Sequence, residues 1–174
     1  KINYSGDITE VSEGHLDTGA HTITGTMEAF IASLSDGRDV PVVIRRSKIP
    51  SLEISLTDSL NDIHKDKDRI STGASVVLTD PSDPGSNFVS AGDCEFKGRG
   101  NSSWEVYDKK GYQLRLGEAR MVLGMDRAKT WVLLANASDP TLLRNKLVYD
   151  ITRQMKLAFA PEGEFVDLWV NGDY

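Results

Sequence analysis

Two runs of alternating apolar and polar residues, Cys94-Glu95-Phe96-Lys97 and Tyr112-Gln113-Leu114-Arg115-Leu116, flank the segment Gly98-Arg99-Gly100-Asn101-Ser102-Ser103-Trp104 and the residues that follow it. Alternation with period two is the signature of a strand with one buried face, so the pair predicts a β-hairpin tipped by a glycine-rich loop. That commits this part of the chain to a sheet. Two glycines one residue apart let the backbone bend and approach a ligand closely, and Asn101, Ser102 and Ser103 supply short polar groups. The combination suits a phosphate. A plain connection accounts for the same residues, since glycine is the commonest turn former.

A glycine loop carried on a hairpin is the arrangement that covers nucleotide phosphates in kinases, whereas Walker-type and dinucleotide loops join a strand to a helix. Charge is distributed in a way that agrees. Residues 1 to 97 carry nine basic and sixteen acidic side chains, while residues 98 to 174 carry eleven and ten. The half that begins with the loop therefore tolerates an anionic ligand better. The net charge of −6 argues against a protein devoted to a nucleic-acid backbone.

Along the chain, Thr22-Ile23-Thr24, Glu28 to Ala32 and Val40 to Ile44 read as short strands separated by turns such as Asp36-Gly37, and Pro41 marks an edge strand or a strand start. Arg45-Arg46-Ser47-Lys48 interrupts this pattern, and a new strand begins at Ile49. A boundary near residue 48 divides a β-rich segment, 1–47, from a second region, 48–174. Thr57 to Arg69 fits a short surface helix or a loop, with Leu60, Ile63 and His64 as its inward candidates. Ala74 to Thr79 is a strand, Asp80 to Asn87 a loop, Gly117 a turn, and Trp131 to Leu134 a further strand.

Asp139-Pro140 supplies an N-cap and a first-turn proline. The helix predicted over 139–156 places Leu143, Leu147, Ile151 and Met155 at successive i+4 steps. Those four should be buried. Arg144 falls in its first turn, where the helix dipole disfavours a cation that lacks a partner. The chain closes with the strand Phe165 to Val170 and then Asn171-Gly172, a strong hairpin signal. A returning strand is expected after Tyr174, so the chain reads as part of a longer fold. The fold class that results is α+β: a mostly antiparallel sheet with one main amphipathic helix laid across a face.

Cys94 is alone, which excludes an internal disulfide and any cysteine-based metal cluster. His15, His21 and His64 have no metal-ligand spacing and read as surface residues. No apolar run is long enough to span a membrane as a helix.

The order of motifs carries more than any one of them. Gly98 to Trp104, then Lys109-Lys110-Gly111-Tyr112-Gln113-Leu114-Arg115-Leu116, Leu123-Gly124-Met125, Trp131 to Asn136, Asp139 with Leu143-Arg144-Asn145, and finally Phe165 to Leu168 with Asn171-Gly172-Asp173-Tyr174 together resemble the CotH family of spore-coat and cell-surface proteins. The resemblance implies a kinase-like N-lobe and an atypical protein kinase that transfers phosphate from ATP to Ser or Thr of a coat or surface protein. It also implies a nucleotide site made of Gly98, Arg99, Gly100, Asn101, Ser102, Ser103, Lys109, Lys110, Arg115, Arg144 and Asn145. Arg115 stands where the family more often has Lys, and Gly111 where it more often has Pro.

The carboxylates that would hold Mg²⁺ and serve catalysis are expected after Tyr174, Asp150 and Asp167 being the nearest options before it. This chain alone is therefore expected to lack kinase activity. The first 47 residues resemble the tail of an immunoglobulin-like module, and the family implies an extracytoplasmic place on a cell surface or spore coat. A non-catalytic adhesion or scaffold module of the same family is the alternative.

Overall fold

The computed structural model describes residues 8–12, 27–34, 37–45 and 47–174. The chain forms two compact units, Lys1–Lys48 and Ile49–Tyr174. In the first, β1 (Ile8–Ser12), β2 (Met27–Leu34) and β3 (Asp39–Arg45) make an antiparallel sheet in the order β1-β2-β3. Pro41, which has no N–H to give to a ladder, lies on the edge strand β3 opposite Ile31. The strand expected at Thr22 to Thr24 lies outside the described residues. Strand β1 has no counterpart in the sequence reading.

The second unit is built on a six-stranded mixed sheet. Its strands are β4 (Ser51–Ser55), β5 (Ser71–Thr79), β6 (Phe88–Arg99), β7 (Gly111–Val122), β8 (Met125–Leu133) and β9 (Asp167–Val170), in the order β8-β7-β6-β5-β4-β9. The four pairs from β4 to β8 are antiparallel, and β9 joins β4 in parallel, with Leu52 opposite Leu168 and Ile54 opposite Val170. Alternate residues point to one face and form the core: Leu52 and Ile54, then Val76 and Leu78, Cys94 and Phe96, Leu114 and Leu116. Full burial of a side chain such as Phe96 or Ile54 contributes roughly 1.5–3 kcal/mol.

Two short helices close this face. Helix α1 (Leu60–Lys65) is capped by Ser59, whose hydroxyl accepts the Asn61 N–H, and inserts fully buried Ile63. Helix α2 (Ser102–Val106) contributes buried Trp104.

The long amphipathic segment behaves differently from the expectation. Helix α3 spans Arg144–Gln154, and no residue in it is buried. Leu143, Leu147, Ile151 and Met155 are 56, 60, 44 and 65 % exposed, so this helix is not laid across the sheet by its apolar stripe. The rest of the chain meets its polar side instead. Lys146 pairs with Asp150 and Glu164 at 3.0 Å each, Arg153 pairs with Glu162 at 3.3 Å, and Gly163 lies against the Tyr149 ring. The start is also later than the Asp139-Pro140 signal implies. Leu142 adopts a positive φ of 59° that interrupts the helix, and the Asp139 carboxylate reaches forward to accept the Arg144 N–H at 2.9 Å. Asp139 thus caps the helix from five residues upstream.

Gly117 does not turn. Strand β7 runs through it to Val122, and the reversal into β8 comes at Leu123-Gly124, where both residues have positive φ. What Gly117 provides is room: a Cβ there would fall 1.9 Å from Oδ2 of Asp93 on the neighbouring strand. At the other end of the sheet Asn171 and Gly172 both have positive φ, and Val170 and Asp173 exchange backbone hydrogen bonds across the two-residue turn. The turn signalled by Asn171-Gly172 is present, closed by a single bridge between Val170 and Asp173.

Candidate functional site: the glycine loop and its aromatic base

Strands β6 and β7 pair from Glu95 opposite Arg115 to Arg99 opposite Gly111, so the hairpin predicted around the glycine loop is present. Gly98 and Arg99 belong to its first strand. Gly100 turns the chain at φ 128°, and the residues after it wind into α2 rather than a simple β-turn. Both glycines have a local cause. A Cβ on Gly98 would lie 2.5 Å from the indole of Trp104 and 2.9 Å from the stem of Lys67, and one on Gly100 would lie 2.7 Å from the Ser103 hydroxyl. The space above this backbone is taken up by the loop's own Trp104 and Ser103.

Around that loop the polar groups divide. Arg99, Asn101, Ser102, Ser103 and Lys109 are exposed. Two cations, two hydroxyls and an amide make a donor set that fits a phosphate in chemical type. Lys110 turns inward, donating to the Trp104 carbonyl while its ammonium lies 5.6 Å from the centre of the Trp104 ring. Arg115 points away from the core and pairs across the strands with Glu95 at 3.1 Å. It helps to line a polar groove of about 420 Å³ with Asp93, Glu118 and Lys129. Arg144 and Asn145 open α3, where Arg144 pairs with Asp139 at 3.6 Å and Asn145 donates to the Asn136 side chain at 2.8 Å. The cation in the first turn has the partner that the dipole argument requires. The eleven residues implied by the resemblance are thus distributed over the loop, the groove and the foot of α3.

Beneath the loop lies an aromatic base. Phe96 and Tyr112 stack at 4.8 Å, and Trp104 meets Tyr112 edge to face at 6.1 Å. His64 enters from α1, 5.9 Å from the Trp104 ring and with its Nε2 2.7 Å from the Tyr112 hydroxyl. It is half-buried, not a surface histidine. Burial holds its pKa below the ordinary value, assisted by the Lys110 charge, and pushes the Tyr112 phenol up to about 12. Trp104 and Tyr112 stand in the motif-bearing segments, but nothing in the spacing of His64 ties it to them. Its only signal was its place beside Ile63.

Residues 96–174 match the model of the family described as CotH kinase protein. The similarity to that family lies in this C-terminal part of the chain. The match begins at Phe96, in the base of the glycine loop, and takes in α2, β7, β8, α3 and β9. No curated protein and no solved structure matches the chain. Within this matched stretch Asp150 is paired with Lys146, and Asp167 accepts from the Tyr174 hydroxyl at 3.2 Å. Among the described residues no three His, Cys, Asp or Glu side chains are grouped so as to hold a metal ion, and no helix is long and apolar enough to cross a membrane.

Proposed function

We propose that this chain is the nucleotide-binding part of a CotH-like atypical kinase that transfers phosphate from ATP to Ser or Thr of a spore-coat or cell-surface protein. The observation that carries the reading is the placement of the glycine loop: it tips a hairpin, it falls inside the family match, and it presents Arg99 and Lys109 beside Asn101, Ser102 and Ser103. The exposed cations would neutralise phosphate oxygens, and the backbone and hydroxyls of the loop would orient them. Lys110 would act by holding the loop through the Trp104 carbonyl. The resemblance would put the Mg²⁺-binding carboxylates after Tyr174; within this chain Asp150 pairs with Lys146 and Asp167 accepts from Tyr174.

One observation favours a second reading, a non-catalytic adhesion or scaffold module. The two glycines are accounted for by Trp104 and Ser103, so the loop has a packing reason to exist without a ligand. Calorimetric titration of ATP into the full-length protein separates the two. The kinase reading expects binding that Arg99→Ala and Lys109→Ala each weaken, with label from ATP appearing on a surface-protein substrate. Absence of ATP binding in the full-length protein overturns it in favour of the module. Exposed cations are the right positions to change, since a substitution at either glycine disturbs the loop itself.

A further inference from the structure

His64 is the point at which α1, α2 and β7 meet under the glycine loop. Its imidazole faces the Trp104 ring of α2 and the ring and hydroxyl of Tyr112 on β7. Trp104 is the side chain that roofs Gly98, and its carbonyl is the one that Lys110 binds. The titratable groups facing the imidazole are Tyr112 from β7 and Lys110 from the connection between α2 and β7. From α2 it meets the indole, and β6 reaches the cluster through Phe96, which stacks on Tyr112. On its own helix Asp62 and Lys65 pair with each other at 3.6 Å, both well exposed. No carboxylate among the described residues hydrogen-bonds the ring.

We propose that His64 is a proton-operated latch on the glycine loop: neutral imidazole keeps α1, Trp104 and Tyr112 together, and protonation releases Trp104 from its seat over Gly98. A proton on this ring puts a cation in a half-buried aromatic setting with the Lys110 ammonium nearby and no anion to meet it. The protein relieves that cost by letting water reach the imidazole, which requires α1 to separate from the indole. The open form therefore binds the proton more tightly than the closed one. By linkage the closed form is fully favoured above the ordinary histidine value of 6.5 and loses ground as the pH falls through it toward the lower value of the closed state. The latch requires no ligand; only its use to control phosphate binding rests on the kinase reading.

The test is an NMR titration of the ligand-free protein across the range in which histidine changes charge. We expect the His64 ring to titrate with a midpoint below 6.5, and the Trp104 indole N–H and the Gly98 and Gly100 amides to shift with the same midpoint. His64→Gln should erase that transition from the loop resonances, and Lys110→Met should raise the His64 midpoint. If His64→Gln does not fold, the parent still decides, by whether the Trp104, Gly98 and Gly100 resonances follow the His64 midpoint. A His64 midpoint at or above the ordinary value, loop resonances that ignore the His64 transition, or a midpoint unmoved by Lys110→Met each overturns the latch. ATP affinity at neutral pH, measured separately, decides the kinase reading without touching this result.

Discussion

The indole of Trp104 lies so close over the backbone of Gly98 that a single added carbon would come within 2.5 Å of its Cη2 atom and 2.8 Å of Cζ3. The ring has little freedom to withdraw, because it is buried and bounded by His64 and Tyr112. Gly98→Ala should therefore force the indole or α2 to shift, at a cost of about 1–3 kcal/mol of the kind seen when a packed core receives an extra methyl group. Urea unfolding monitored by tryptophan fluorescence measures it. A variant as stable as the parent would mean that the indole is not seated as described.

Asn171 does two things at once. Its φ of 51° forms the first half of the turn, and its side chain accepts the Leu56 N–H at 2.7 Å while donating to the Asp58 carbonyl at 3.2 Å. Asn171→Gly keeps the backbone conformation and loses both side-chain bonds; Asn171→Ala loses all three advantages. We expect Ala to be the more destabilising, by about 1–2 kcal/mol relative to the parent, with Gly between them. Thermal unfolding of the three proteins gives the order, and an alanine variant that outlasts the glycine variant would contradict it.

Acid should weaken the foot of α3. The N–H of Arg144, then the hydroxyl and N–H of Thr141, favour the charged form of Asp139 and hold its pKa below the ordinary 3.8. A depressed carboxylate stabilises the fold above its unfolded value and ceases to do so as the pH falls through its folded value. The stability advantage of the parent over Asp139→Asn should be largest near neutrality and shrink below pH 3.8. An advantage that stays constant down to the folded value would show that the charge of Asp139 has no part in capping.

Leu147→Glu and Ile151→Glu should leave stability within about 0.5 kcal/mol, as exposed substitutions do. In a buried stripe the same changes would cost several times more. Chemical denaturation of the double variant is the check, and a large loss would mean that the apolar side of α3 is covered in solution.

The sheet was largely legible because its signals are local. Period-two alternation marked β4, β6, β7 and β9 in outline, short apolar runs marked β5 and β8, and Asn171-Gly172 identified its own turn. What failed was everything that depends on which surface meets which. The i+4 spacing of Leu143, Leu147, Ile151 and Met155 states that a helix has an apolar side, but not that the ion pairs of Lys146 and Arg153 draw the chain onto the opposite one. Gly117 looked like a turn because glycine usually is one, whereas its reason is the Asp93 carboxylate on the next strand, a contact between residues far apart in sequence. His64 was missed as part of the loop's base for the same cause: its partner Tyr112 is 48 positions away.

The parallel pairing of β4 with β9 has a temporal side. Leu56 and Asn171, which close that seam, are 115 positions apart. At the usual pace of synthesis, about 5–20 residues per second, the outer edge of β4 waits roughly 6–23 seconds for the strand that covers it. Throughout that interval β5 occupies one side only, and a row of backbone donors and acceptors stands open to any passing chain. Glu53, exposed at the middle of β4, puts a charge in the centre of that row. The nascent protein is guarded at the place where it is slowest to finish.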